Sequence, residues 1–274
     1  MRLGIAISTY ETQFGPIVFR DGNLKQNLKD IKSLGYQGVD LFINKKTDGE
    51  IAEIKRMFDD ECIEINTYLA IFLAEMGVKL SEIDNNKRKR DVKLFMEQID
   101  KAKIIGANSI ALGFIRGGIG ENDNYSDCAK RLAESLNVVG EYAYKNEIVI
   151  GLEPINRYEL NFLNSVEETV DFINKQNLKG VGVLADTFHM NIEDTNFRES
   201  ILSAKDLISN IHAPSSHRQA TGTGHLDYDE IFKSLLDINY NGYITLEAFA
   251  QPDAITCAKM SAEFINSKLD SLKG

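Results

Sequence analysis

Short apolar runs alternate with amphipathic stretches along the whole chain. The run at residues 3–7 is rich in β-branched side chains, which is typical of a buried strand, whereas residues 24–34 repeat apolar side chains at helical spacing. Gly35 and Gly106 stand where two of the predicted helices are expected to end. The alternation predicts eight strands, over residues 3–7, 38–42, 63–69, 109–114, 148–152, 181–184, 207–211 and 243–246.

A helix-like stretch follows each of these runs. The predicted helices lie at about residues 24–34, 51–58, 87–105, 129–143, 166–173, 197–204, 231–236 and 254–272. Near-continuous apolar strands that alternate with helices indicate a parallel sheet covered on both faces. Eight such units match a closed (β/α)8 TIM barrel, which typically needs roughly 250 residues. An open doubly wound sheet fits the same periodicity and is the alternative.

The composition suits a packed globular chain without internal boundaries. Of the 274 residues, 43% are hydrophobic and 26% are charged, and only four are prolines. Since no stretch rich in Pro, Gly or Ser divides the chain, we expect one α/β domain over residues 1–274.

The charge and the cysteines exclude several classes of protein. A net charge of −10 argues against general nucleic-acid binding and against anionic membrane surfaces. The apolar runs fall short of the roughly 20 residues that span a bilayer, and the amino-terminal run is too short for a signal peptide. Cys62, Cys128 and Cys257 are scattered and form no CxxC pair. A cytoplasmic protein without membrane or nucleic-acid partners is predicted.

Four successive predicted strands each end in a side chain that could bind a metal. These residues are Glu153, Asp186, His212 and Glu247, separated by about one βα unit each. The carboxyl ends of barrel strands form a single rim, so the four side chains are expected to meet there. A lone acid at a strand end is usually a helix cap or a member of a surface ion pair. The presence of one such residue at the end of each of four successive strands is stronger evidence for a metal site. Three carboxylates and one imidazole suit a divalent ion such as Mn²⁺, Mg²⁺ or Co²⁺.

Other polar residues lie in the same predicted loops. Glu159, His189 and Arg218 follow these strand ends and could hold the hydroxyl groups of a polyol by directional hydrogen bonds. The glycines of TGTG and RGGIG match neither a GxGxxG motif nor a P-loop, so tight turns are the default interpretation.

Residues near these strand ends allow more than one interpretation. Arg116 is interpreted either as a substrate contact or as a surface ion pair, and His217 as a polar loop residue. The segment 71–86 is expected to be a surface loop, with Phe72 and Leu73 as candidates for an apolar wall of the site.

Several longer motifs resemble a known group of enzymes. GLEPINRYE, VLADTFHMNIED, HAPSSHR with the following GTGHLD, and TLEAF are similar to the motifs of ketose 3-epimerases. That group includes D-tagatose and D-psicose 3-epimerases and related keto-acid sugar epimerases, and it belongs to the xylose isomerase-like barrel superfamily. The resemblance is strong over residues 151–249, and the amino-terminal half is compatible but less specific.

The resemblance implies a role for each of these residues. It assigns Glu153, Asp186, His212 and Glu247 to one divalent ion, commonly Mn²⁺, and makes Glu153 and Glu247 the acid/base pair. It assigns Glu159, His189 and Arg218 to the substrate, and it implies a homo-oligomer, either a dimer or a tetramer. The chain departs from the group at two positions that bear on substrate preference. His217 stands where Asn or Asp usually precedes the arginine, and Thr221 replaces a frequent proline.

The reaction implied is inversion of the hydroxyl-bearing carbon next to the ketone of a ketose or keto-sugar acid. A proton would be removed and returned through an enediolate. The alternatives within the superfamily are an aldose–ketose or hydroxypyruvate-type isomerase and an inosose dehydratase-like enzyme. A barrel nuclease that cuts abasic DNA needs a larger set of His and acidic ligands, and a barrel that only binds sugar has no need of two opposed carboxylates.

Overall fold

Eight parallel strands close into a barrel in chain order in the computed structural model, which describes residues 1–273. The prediction of a TIM barrel is therefore confirmed, and the open-sheet alternative is wrong because β1 pairs with β8. The strands are β1 (Arg2–Ser8), β2 (Gly38–Phe42), β3 (Glu64–Leu69), β4 (Ser109–Leu112), β5 (Val149–Leu152), β6 (Val181–Asp186), β7 (Ile208–His212) and β8 (Tyr243–Leu246).

Helices surround the barrel and connect its strands. They are α1 (Leu24–Ser33), α2 (Asp48–Glu61), α3 (Phe72–Glu75), α4 (Asn85–Ile105), α5 (Tyr125–Lys145), α6 (Val166–Lys175), α7 (Thr187–Glu193), α8 (Phe197–Ala204), α9 (Tyr228–Asp237) and α10 (Ala254–Lys273). The short helices α3 and α7 lie in segments for which no helix was predicted. Among residues 1–273, no helix combines the length and the apolar character that crossing a bilayer requires.

Side-chain caps fix where several helices begin. Thr47 and Glu50 form a capping box at the start of α2, and Asn124 accepts a hydrogen bond from the backbone of Asp127 at the start of α5. The predicted start of α5 at residue 129 is therefore late by about one turn, because the polar cap lies ahead of the apolar stripe.

Two β-bulges interrupt the barrel ladder. Between β2 and β3, Val39 pairs with Ile65 but Asp40 pairs with Thr67, which leaves Asn66 as an extra residue. Between β6 and β7, Val183 pairs with Ile208 and Leu184 with Asn210, so the strand β7 also carries one extra residue. A bulge redirects the side chains beside it, so both bulges affect what points into the barrel.

The interior of the barrel contains a buried polar layer instead of a wholly apolar filling. Thr67 accepts hydrogen bonds from Ser109 (3.1 Å) and from Asn210 (3.2 Å), and Asn210 in turn accepts one from Thr245 (3.3 Å). All four side chains are buried, and their mutual hydrogen bonds offset the cost of taking them out of water. The main apolar core includes Ile31, Phe58, Phe95, Leu136 and Phe232, which lie on the helices around the barrel.

Gly140 marks a close approach of α5 to the chain that leads into β6. A Cβ at this position would collide with the carbonyl oxygen of Lys179 and press on Val181. We expect Gly140→Ala to lower the free energy of unfolding by about 1–3 kcal/mol, because backbone cannot move aside cheaply. Gly49→Ala on α2 is the matched control, since a Cβ there meets open space, and it should raise stability by about 0.5 kcal/mol. Equal unfolding free energies of the two variants in denaturant titrations would contradict this account.

Candidate functional site

The ends of four consecutive strands converge at one rim of the barrel. Glu153 follows β5, Asp186 ends β6, His212 ends β7 and Glu247 follows β8. Each offers one ligand atom, and these atoms all lie within 4.8 Å of one another. The four residues that the sequence singled out as metal ligands thus lie together.

The contacts within this group leave two buried atoms without a partner. One oxygen of Asp186, Oδ1, accepts a hydrogen bond of 2.7 Å from the Phe188 amide and so caps α7. Among the described residues, the other oxygen, Oδ2, and the Nδ1 atom of His212 have no hydrogen-bond partner. Nδ1 lies 3.4 Å from Oε2 of Glu247 and 4.0 Å from Oε1 of Glu153. Buried polar atoms without partners are uncommon and costly, so they indicate a ligand.

A divalent cation fits this set of atoms. Three carboxylates and one imidazole supply oxygen-rich ligation, and the two unpaired atoms belong to two of the four residues. An ion with two positive charges would also offset the repulsion among the three carboxylates. The side chains are removed from solvent, with exposures between 0% for Asp186 and 13% for Glu153.

Burial and crowding shift the pKa values of the two carboxyl groups on β5 and β6. Burial raises the pKa of Glu153 to about 8, and the negative charge of Glu247 adds to that effect. Burial also raises the pKa of Asp186 to about 6, although the charges of Arg218 and His212 oppose it. In the protein without a metal, both carboxyl groups therefore hold their protons more tightly than exposed acids.

In the protein without a metal, the pKa shifts of His212 and Glu247 instead favour the charged form of each side chain. Burial alone would lower the pKa of His212, but the charge of Glu247 and the hydrogen bond to Asp40 raise it above its ordinary value. Burial would raise the pKa of Glu247, yet the charge of His212 lowers it. The two residues therefore stabilise each other as an ion pair.

Arg218 connects the predicted substrate-binding residues to this group. Its Nη1 lies 3.2 Å from Oε1 of Glu159, and its Nη2 lies 3.3 Å from Nε2 of His189 and 3.9 Å from Oε2 of Glu247. Its guanidinium also stacks over the ring of Phe188, 4.7 Å from the centroid. The backbone of Arg218 adopts a left-handed conformation with φ of 60°, which is strained for a residue with a side chain. The site therefore holds this guanidinium in place at a cost in backbone energy.

Asn156 holds His189 from the other side. Its Nδ2 lies 2.8 Å from Nδ1 of His189 and donates to Oε1 of Glu159 at 2.9 Å. Burial lowers the pKa of His189 well below its ordinary value, and the charge of Arg218 lowers it further. His189 is therefore a neutral imidazole at the edge of the cavity.

A cavity of about 290 Å³ opens over these residues. Its polar side is formed by Glu153, Glu159, His189, Arg218 and Glu247, and its apolar side by Phe14, Phe42, Leu69, Ile71, Phe114 and Phe249. The polar side comes from the segments after β5 to β8, and the apolar side comes largely from the amino-terminal half. The cavity thus offers hydrogen-bonding groups on one side and hydrocarbon on the other.

The structure corrects the interpretations of Phe72, Leu73 and Arg116. Leu73 packs in the core with 1% exposure, and Leu69 and Ile71 form the wall that was expected from Phe72 and Leu73. Arg116 is neither a substrate contact nor a surface ion pair, because it is fully buried.

The guanidinium of Arg116 is bonded to backbone. It donates to the carbonyl oxygens of Glu153, Phe162 and Leu163, the last two at 2.7 and 3.0 Å. These bonds join the end of β5 to the loop that follows Glu159. Sequence position alone does not reveal this depth, since the burial comes from a loop folded over the arginine.

The remaining loop residues behave as turns and polar contacts. His217 is exposed and contacts Ser215, as expected of a polar loop residue. Gly222 has a φ of 85°, and a Cβ there would collide with the ring of Phe264. A Cβ at Gly117 would collide with Ser81, so close packing explains these glycines.

Sequence reasoning missed Asp40 and Asn156. Asp40 is fully buried, and its Oδ2 lies 2.8 Å from Nε2 of His212. The available signal was an acidic residue in the middle of the apolar run GVDLF, which requires a buried partner. Asn156 lies within the motif GLEPINRYE, but its contact with His189 depends on the fold of two separate loops.

Comparisons with known proteins agree with this geometry. Residues 28–268 match the family model of the xylose isomerase-like TIM barrel. The chain is 38% identical over 128 residues to a D-psicose 3-epimerase of Enterocloster bolteae, a match that covers 47% of this chain and 42% of that protein. The matched part is thus less than half of that relative's length.

Two further comparisons cover most of the chain. The 3-dehydro-D-guloside 4-epimerase of Escherichia coli is 26% identical over 228 residues, which cover 82% of this chain and 87% of that protein. The crystal structure of a D-psicose 3-epimerase determined in the presence of D-fructose matches with a TM-score of 0.82 at 22% identity and covers 100% of both chains. At that identity the structural likeness concerns the fold.

These relatives are sugar epimerases, enzymes of the isomerase class. The family model spans most of the chain, and the closed barrel of eight parallel strands is that of a TIM barrel. The chain therefore belongs to the xylose isomerase-like TIM barrel family.

Proposed function

We propose that the protein is a metal-dependent sugar epimerase that inverts the hydroxyl-bearing carbon next to the ketone of a ketose or keto-sugar acid. The observation that carries this proposal is the pair Glu153 and Glu247, which both line one cavity and both belong to the cluster of four ligand residues. The names of the relatives support the same class of reaction.

The proposal includes the broader predictions from the sequence. Residues 1–274 would act as one domain in the cytoplasm, as a homodimer or homotetramer, without nucleic-acid or membrane partners. The net charge of −10 supports the absence of a nucleic-acid partner, since phosphate binding needs surplus Lys and Arg.

Glu153, Asp186, His212 and Glu247 would hold one divalent ion, with Mn²⁺ as the first candidate and Mg²⁺ or Co²⁺ as alternatives. The unpaired Oδ2 of Asp186 and Nδ1 of His212 support this assignment. When bound, the ion would supply positive charge next to the substrate oxygens on which negative charge develops. Fixed charge of this kind lowers the barrier for removing a weakly acidic proton.

Glu153 and Glu247 would carry out the proton transfers. One carboxylate takes the proton from the carbon next to the ketone, the carbon–hydrogen bond breaks, and its electron pair moves toward the carbonyl oxygen to give an enediolate. The other carboxyl group then returns a proton to the opposite face of that carbon. The two residues follow β5 and β8, which are not neighbours in the barrel, and this separation supports access from two sides.

Glu159, His189 and Arg218 would orient the substrate through its hydroxyl groups. Arg218 already contacts Glu159 and His189, so a hydroxyl group enters a preformed set of donors and acceptors. Asn156 would keep His189 in position. The apolar side of the cavity, including Phe14 and Phe114, offers hydrocarbon to the carbon–hydrogen face of a sugar.

Binding of Mn²⁺ should be measurable and dependent on pH. Glu153 and Asp186, whose pKa values are raised to about 8 and about 6, must lose protons to bind the ion. Because their charged forms are disfavoured in the folded state, the metal-free protein should lose stability as pH rises through these values. We therefore expect the gain in unfolding temperature on adding Mn²⁺ to increase between about pH 5.5 and about pH 8.

Two variants separate ligation from folding in this measurement. Asp186→Asn keeps the oxygen that caps α7 and should weaken Mn²⁺ binding by about tenfold or more in calorimetry. Glu141→Gln, an exposed position on α5, should bind like the unaltered protein. A stoichiometry other than one ion per chain, or unchanged affinity in Asp186→Asn, would contradict the assigned ligands.

Turnover in heavy water tests the reaction itself. With Mn²⁺ present, a panel of ketoses and keto-sugar acids should include a substrate that gains deuterium at the inverted carbon. Glu247→Gln preserves shape but removes the proton-transfer group, so it should lower turnover by about 10²–10⁴-fold while Glu141→Gln has no effect. A fully active Glu247→Gln variant would rule out the paired-acid mechanism, and a product whose ketone has moved would identify an aldose–ketose isomerase instead.

A further inference from the structure

We propose that Asp40 is a positioning residue for the candidate metal centre. Asp40 holds Nε2 of His212, so that Nδ1 of the same ring points toward the ion. This inference rests on the metal site of the proposed function, and it concerns a residue that lies outside the four ligands. It gives a role to the buried acid in the middle of β2.

The contact between the two side chains is short and fully shielded from water. Nε2 of His212 lies 2.8 Å from Oδ2 of Asp40, and their side chains are 1% and 0% exposed. A carboxylate only accepts hydrogen bonds, so Nε2 carries the hydrogen and donates it. A histidine must be neutral to bind a metal ion, and in the neutral ring the lone pair is then on Nδ1, the unpaired atom that faces Glu153 and Glu247. The hydrogen bond thus selects the ligating nitrogen.

Two amides lock the carboxylate of Asp40 in its orientation. Nδ2 of Asn210 donates to Oδ2, the same oxygen that accepts from His212, and Nδ2 of Asn66 donates to Oδ1 at 3.1 Å. Three donors therefore converge on one carboxylate inside the barrel. Because both oxygens are engaged, the carboxylate cannot rotate without breaking hydrogen bonds in a region that water does not reach.

The β-bulge at Asn66 contributes to this arrangement. Asn66 and Thr67 are consecutive, yet both reach the buried polar layer, which regular alternation along a strand forbids. The bulge at Asn66 allows it. On β7, Asn210 and His212 are two residues apart and share the inward face, so both can contact Asp40. The irregular backbone of β3 and the regular alternation along β7 therefore both bring donors to one side chain of β2.

A fixed ring orientation should matter for binding of the metal more than for the fold. Partners of this kind orient the imidazole and make it a better ligand, and their loss typically weakens metal binding by about 10–100-fold. Asp40→Asn keeps the volume but brings an N–H donor into a place where three donors already point. Asp40→Ala removes the acceptor altogether.

Mn²⁺ titration calorimetry on the full chain is the first test. We expect Asp40→Asn and Asp40→Ala to raise the Mn²⁺ dissociation constant at least tenfold, with turnover largely restored at saturating Mn²⁺. Ser109→Ala is the matched control, since Ser109 lies in the same buried layer but donates to Asn66 and Thr67. It should lower the unfolding temperature and leave the dissociation constant within about threefold. Folded Asp40 variants that bind Mn²⁺ within threefold of the unaltered protein would overturn the proposal.

A second measurement does not depend on whether the variants fold. Nitrogen-15 spectra of the unaltered protein with Mg²⁺, a diamagnetic ion, report which ring nitrogen carries hydrogen, and only four histidines must be assigned. His212 should show a protonated Nε2, and a protonated Nδ1 would overturn the inference. Binding that depends on Asp40 without turnover of any sugar would reject the epimerase but keep the role of Asp40. Absence of binding at His212 would reject both the metal centre and this inference.

Discussion

Repulsion between carboxylates at the rim of the barrel is the constraint that shapes the site. A closed parallel barrel brings all its strand ends to one circle, and here three acids and one histidine meet within 4.8 Å. Like charges in a buried space are unfavourable unless cations or fixed donors lie beside them. Arg218, His212 and the hydrogen bond that Asp186 accepts supply part of that compensation. The strained backbone of Arg218 is understandable in these terms, since it brings a guanidinium to Glu247 and Glu159 at once.

The two halves of the chain contribute different properties to the cavity. The ionisable groups follow β5 to β8, whereas Phe14, Leu69 and Phe114 belong to the amino-terminal half. The motifs that resemble ketose 3-epimerases lie at residues 151–249, in the half that carries the ionisable groups. The ionisable groups and most of the apolar wall are therefore encoded in separate stretches of sequence. Changes in the amino-terminal loops can therefore alter the shape of the cavity without changing its ionisable groups.

Much of the fold and the position of the rim residues follow from local pattern. Apolar runs at regular spacing predict strands, and eight units predict closure, so the positions of Glu153, Asp186, His212 and Glu247 follow from counting strand ends.

Side-chain burial and contacts between residues far apart in the sequence cannot be predicted from local pattern in this way. Arg116 looks like a surface residue until loop backbone is folded over its guanidinium. The contact between Asp40 and His212 joins residues on β2 and β7, and the shift of register at Asn66 that accompanies it leaves no mark in the periodicity.

The hydrogen bonds between Asp40 and β7 also help to keep the barrel closed. The first and last strands of the chain, β1 and β8, meet side by side, and β2 and β7 flank them on either side. The hydrogen bonds from Asn210 and His212 to Asp40 therefore cross over the seam where the two ends of the chain join. Opening that seam requires breaking buried side-chain bonds as well as the ladder between β1 and β8. Hydrogen bonds inside the barrel therefore connect the first strands of the chain to the last ones. Local unfolding should begin at other positions in the barrel.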